Sequence, residues 1–187
     1  MKNSSLINGF PVIWFTGLSA SGKSTLSESL LKSLKDFGLE NVILLDGESI
    51  REELNNFNFE TSSREEIGYQ KAKIALKLNK KDNIVIVTGI AHKKNWRHDT
   101  RSMFDNYIEI YLKCSSDACA KRDFKDNYRK ANAGELKNFI GVHEQYEEYE
   151  DYDLMVDTEK NNIAVCSKTI LNLVLGLLNT IPKNNGV

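Results

Sequence analysis

The chain has 187 residues, enough for one sizeable hydrophobic core and too few for two comfortable domains. With 41% hydrophobic and 27% charged residues it has the composition of an ordinary globular protein, and a net charge of −1 excludes the global basic field that would argue for nucleic acid as a partner. No apolar run approaches the ~20 residues that cross a bilayer, and "MKNSSLINGF" has no secretory apolar stretch, so a cytoplasmic protein with no membrane partner is expected.

In chain order, strand and helix patterns alternate throughout. "VIWFTG" (12–17) predicts a short buried strand, and the segment from Gly22 to Gly38 a helix, with Leu26, Leu30, Leu31 and Leu34 at helical spacing. "NVILLD" (41–46) predicts a second strand. Residues 63–81 predict a helix whose stripe carries Ile67, Ile74 and Leu78, and "NIVIVTGI" (83–90) a third strand. A basic segment, "HKKNWRHDTR" (92–101), follows and reads as helical from about Asn95; its charges suit either a solvated face or a small anion. "YIEIYLKC" (107–114) predicts a fourth strand, with Ser116 capping a helix that runs through Arg122. Residues 123–150 are polar, aromatic and acidic, with little periodicity. "DLMVDT" (153–158) predicts a last strand and residues 163–181 a last helix, followed by a frayed tail at 182–187. Cys114, Cys119 and Cys166 fit neither a zinc spacing nor an even disulfide framework and read as buried or free thiols. His92, His98 and His143 are scattered, and no metal role is expected for them.

Strands that are apolar on both faces and separated by helices imply an α/β fold with a parallel sheet covered on both sides. Ligands then sit beyond the carboxyl ends of the strands, which places Gly17, Asp46, Gly89 and the residue after Cys114 along one edge. There, "GLSASGKST" (17–25) matches G-x-x-x-x-G-K-[ST] between a strand and a helix. The backbone of Gly17, Leu18, Ser19, Ala20, Ser21 and Gly22 would surround ATP phosphates, with Thr25 beside them in the first helical turn. Lys23 would reach the β- and γ-phosphates, and the Ser24 hydroxyl would ligate Mg²⁺. Switches and motors of this class usually end a later strand on an acid. Here the third strand ends "VTGI" and the acid comes one strand earlier, as Asp46, which favours a kinase whose carboxylate faces an acceptor hydroxyl. Asp46 could also cap the helix after it.

The stretches "WFTGLSASGKSTL", "LLDGESIREELN", "KRDFKDNYRKANAGELKNFIG" and "YEEYEDYDLMVDT" resemble the adenylylsulfate (APS) kinase family in order and spacing, over residues 12–160. The resemblance implies a three-layer P-loop kinase fold in a single domain, 1–187, with a central parallel five-stranded sheet and a lid at about 123–150. It implies an ATP- and Mg²⁺-dependent phosphorylation of the 3′-hydroxyl of adenosine 5′-phosphosulfate in sulfate assimilation. Asp46 matches the family's acidic residue beside the acceptor hydroxyl, as base or orienter, and Glu48 stands where a second Asp is common. Arg51 and Arg64 match arginines that hold the phosphosulfate, Phe59 and Phe139 the aromatics around the acceptor's adenine, and Lys130 a lid lysine. Arg122 and Asp123 open the lid, with Arg122 near the donor nucleotide. Members are often dimers, so a homodimer is implied.

Departures from the family pattern fall on the acceptor side. Ile67 replaces an Asn, Tyr69 and Gln70 replace paired arginines, and Ala91 and His92 replace Ser-Pro. Lys93, Lys94 or Arg97 could supply the lost charge. The alternatives are therefore a divergent relative acting on another nucleotide-linked acceptor, such as cytidine diphosphoramidate, or a non-catalytic ATP-binding regulatory module.

Overall fold

The computed structural model describes residues 9–46, 50, 61–148 and 150–179. Five strands, β1 (Val12–Thr16), β2 (Val42–Leu45), β3 (Ile84–Thr88), β4 (Tyr107–Lys113) and β5 (Leu154–Asp157), form one sheet in the order β2-β3-β1-β4-β5. Every neighbouring pair is parallel. Helices among the described residues include α1 (Lys23–Asp36), α2 (Thr61–Asn79), α3 (Lys94–Ser102), α4 (Ser116–Arg122), α5 (Asn127–Asn132) and α6 (Ile163–Leu178).

Alternation along the strands builds the three layers, because successive side chains point to opposite faces. Ile13, Phe15, Ile84, Ile86, Ile108 and Ile110 face one side and pack on Leu26, Leu30 and Leu34 of α1 and Ile170 and Val174 of α6. Val12, Trp14, Val85 and Val87 face the other and pack on Ala72 and Ala75 of α2 and on Phe104. Burial on both faces is what a parallel sheet requires, and β1 and β3 are buried at every residue. The chain moves from β1 outward to β2 and back through β3, then crosses to β4, so the strand order switches direction at β1 and opens a crevice beyond its carboxyl end.

The elements differ from expectation mainly at their ends and in the polar segment. The buried stripe of α2 runs through Ile67, Lys71, Ala72 and Ala75, whereas Ile74 and Leu78 are half-buried. The cap of α4 is Ser115, whose hydroxyl accepts from the amide of Ala118 at 3.2 Å; Ser116 is already the first helical residue. The segment of little periodicity contains α5, which starts after Asp126 in a left-handed conformation and buries Tyr128 and Ala131. All three cysteines are buried and free. Among the described residues no helix is long and apolar enough to cross a membrane.

Candidate active site

The loop of residues 17–25 leaves the buried end of β1 and enters α1. Gly17 has φ +142°, and a Cβ there would lie 2.7 Å from the Leu112 carbonyl oxygen, so only glycine fits. Gly22, at φ +100°, is the N-cap of α1, and the first turn contains no acid to compete with an anion for the helix's positive end. The Thr158 hydroxyl donates to the Ser21 carbonyl at 3.0 Å, which pins the loop to the end of β5. Half-buried Lys23 donates from Nζ to the Gly17 and Leu18 carbonyls. Burial pushes its pKa down to about 8; Lys71 lowers it further, while Cys119 and Asp46 pull it upward.

Asp46 stands one residue past β2, and its Oδ1 accepts from Thr88 Oγ1 at 2.7 Å at the end of β3. The carboxylate is thereby held at the same sheet edge as the phosphate loop. Buried Lys71 of α2 donates to the Thr88 carbonyl at 2.7 Å. Thr16, the last residue of β1, donates to the Ile90 carbonyl at 3.0 Å and is 2.5 Å from the Tyr146 hydroxyl, so the segment after β3 is anchored as well.

One cavity of about 1580 Å³ spans this edge, from Ser24 and Thr25 of the loop past Asp46 to Arg64 and Phe139. It exceeds the roughly 300–1,000 Å³ of a single small-ligand site and suits two nucleotide-sized ligands end to end. Arg122, exposed, donates to the Thr158 carbonyl at 3.0 Å and lines the cavity beside the phosphate loop. Arg64 donates to the Asn138 carbonyl at 2.7 Å, tying α2 to the segment after α5. Its neighbour Phe139 is buried and meets the Tyr128 ring edge-on, with centroids 4.8 Å apart. Lys130 is half-buried on α5 and is not part of the cavity wall. Glu48, Arg51 and Phe59 lie outside the described residues.

Of the three cations suggested as replacements for the lost arginines, Arg97 is committed elsewhere. It is buried and donates to the carbonyls of Ala91 and Glu147. Lys93 pairs with Glu147 at 3.2 Å, and the Lys94 amide donates to the same carboxylate. His92, also buried, faces Glu144 at 3.1 Å and meets Trp96 edge-on; burial is the main cause that lowers its pKa. Sequence reasoning missed Thr88 and Lys71. The signal for Lys71 was its place in the stripe Ile67, Lys71, Ala75, where a cation points inward.

A parallel sheet with a phosphate loop after its central strand, an acid after the strand two places away and a cavity joining the two defines a P-loop phosphotransferase of the kinase type. The sequence model of the adenylylsulphate kinase family matches residues 9–157. The chain is 37% identical to the adenylyl-sulfate kinase of Staphylococcus carnosus, over 86% of this chain and 81% of that protein. It is 39% identical to that of Oceanobacillus iheyensis, over 86% and 82%. The Mycobacterium tuberculosis APS kinase solved with AMPPNP and APS superposes with a TM-score of 0.82 at 26% identity, covering 92% of this chain and 99% of that one. The chain belongs to the adenylylsulphate kinase family.

Proposed function

We propose that this protein is an ATP-dependent kinase that phosphorylates the 3′-hydroxyl of adenosine 5′-phosphosulfate to give 3′-phosphoadenylylsulfate. The observation that carries the reading is the Asp46–Thr88 pair, held in the same cavity as Lys23 at the ends of adjacent strands. Phosphoryl transfer asks for alignment and neutralised charge more than for covalent help. The loop amides, the positive end of α1 and Lys23 would bind the ATP phosphates, Lys23 exchanging the Gly17 and Leu18 carbonyls for phosphate oxygens. Arg122 would lie against the donor nucleotide. Ser24 lines the cavity in the first turn of α1 and offers the hard oxygen that Mg²⁺ prefers, so the residues fit that ion, which would shield the phosphate charge.

On the acceptor side, Asp46 would accept the hydrogen bond of the 3′-hydroxyl, as base or as orienter, while its oxygen attacks the γ-phosphorus and ADP leaves. Arg64 and Phe139 would contact the acceptor, together with Arg51, Phe59 and Lys130 on the strength of the family resemblance. Residues 123–140 would close over the site and exclude water, which suppresses wasteful hydrolysis of ATP. The proposal includes a cytoplasmic homodimer serving sulfate assimilation; sedimentation at twice the 21.3 kDa chain mass checks the assembly.

A second reading, a kinase of another nucleotide-linked acceptor such as cytidine diphosphoramidate, draws on one observation. Where paired arginines are expected, Tyr69 is half exposed and Gln70 donates to Glu66 at 2.5 Å, and neither brings charge. The third reading, an ATP-binding module without turnover, is separated by Asp46→Asn. A kinase keeps its ATP affinity and loses turnover by about 10²- to 10⁴-fold. Unchanged turnover removes Asp46 from the chemistry.

A further inference from the structure

The chain buries a lysine at the floor of the acceptor half of the cavity. Lys71 lies on the inward stripe of α2 between Ile67 and Ala75 and is 5% exposed, a rare place for its residue type. Its Nζ reaches the carbonyl of Thr88, the residue whose hydroxyl holds Asp46. Gly89 follows Thr88, and its backbone is not in the left-handed region, so the conformation itself does not call for glycine. Space does. A Cβ on Gly89 would stand 3.2 Å from Lys71 Nζ and 3.4 Å from Trp14 Nε1. The missing side chain is the gap through which the ammonium reaches the strand end, and Trp14, Lys71, Thr88 and Gly89 all line the cavity.

We propose that Lys71, admitted by Gly89, is a specificity-determining residue that binds an anionic oxygen of the acceptor nucleotide beside Asp46. The inference rests on the kinase reading above and deepens it. The acceptor pocket lacks the paired arginines, with Tyr69 and Gln70 in their places, and Arg97 is committed to backbone carbonyls. Arg64 and Lys71 are then the described lysines and arginines lining the acceptor half, and Lys71 is the one at its floor. An ammonium has three donors and can serve a strand carbonyl and a ligand oxygen at once. Its charge already reaches across the site, since it is one of the causes that lower the pKa of Lys23.

The test uses the full chain with its donor site saturated by AMPPNP. Calorimetry then measures binding of adenosine 5′-phosphosulfate, cytidine 5′-diphosphate, adenosine and cytidine to wild type, Lys71→Met, Lys71→Arg and Gly89→Ala. Wild type is expected to bind one of the two nucleotides, which identifies the acceptor base. Lys71→Met should then weaken that nucleotide by more than about tenfold while its nucleoside and AMPPNP stay within about twofold, and Lys71→Arg should restore part of the loss. Gly89→Ala keeps the lysine and crowds its ammonium, so it should show a smaller loss confined to the nucleotide; it carries the test if Lys71→Met melts early. Equal loss of nucleotide and nucleoside, or unchanged nucleotide affinity, overturns the role of Lys71 and leaves the kinase reading standing. Wild type that binds neither nucleotide overturns both.

Discussion

Lys23 carries its charge in a half-buried loop that offers it two carbonyls, and burial brings its pKa from 10.5 to about 8. The direction fixes a pH dependence. Below about pH 8 the free protein presents an ammonium; above it the amine is neutral, and ATP phosphates, which favour the charged form, must draw a proton back. ATP affinity should therefore be level below pH 8 and fall by up to about tenfold per pH unit above it. Calorimetry at pH 9 in two buffers of different ionisation enthalpy should show uptake approaching one proton per ATP bound; uptake near zero would show that Lys23 does not meet the phosphates. This lysine was legible from the sequence because its role follows from a spacing of eight residues between a strand and a helix. Lys71 was not, because an inward lysine on a helical stripe acquires meaning only when Thr88 and Gly89 are seen against it.

The segment from Glu144 to Asp153 is fastened over β4 by charges and rings. Glu109, wholly buried on β4, lies 3.7 Å from Arg97 and 3.8 Å from Arg101, both on α3. Burial pushes its carboxyl up to about 7 although both guanidiniums pull it down. Arg101 pairs with Asp153 at 2.9 Å, Asp153 accepts the Glu109 amide at 2.8 Å, and Tyr146 stacks on Tyr111 with Arg97 over its ring. Glu109→Ala leaves Arg97 without a carboxylate and Arg101 with Asp153 alone, and should cost about 3 kcal/mol, a fall in Tm of roughly 10 °C. Adding Arg97→Met should recover part of it, and an unchanged Tm in the single variant would show that the cluster ties nothing down. The strands themselves were plain in the sequence, since each is an apolar run closed by turn residues. The arginines were not, because "HKKNWRHDTR" has the composition of a solvated face; only the i, i+4 spacing of Arg97 and Arg101 opposite a strand glutamate hinted at burial. α5 was hidden for a related reason. Six residues make too few turns for a period, and contacts of Tyr128 and Ala131 hold them in place.

At the scale of the molecule, one sheet carries its strand ends to one edge, placing a phosphate loop and a carboxylate around a cavity of about 1580 Å³. The donor half of that cavity follows the family pattern from Gly17 to Thr25. In the acceptor half, Tyr69, Ala91 and His92 line the cavity where the pattern has other residues, with Lys71 at its floor. The direct measurement is coupled ADP release by the purified protein with ATP and Mg²⁺, comparing adenosine 5′-phosphosulfate with a cytidine diphosphate derivative. Release that depends on adenosine 5′-phosphosulfate and yields 3′-phosphoadenylylsulfate is the predicted result. No such release, beside clear release with the cytidine compound, would contradict it.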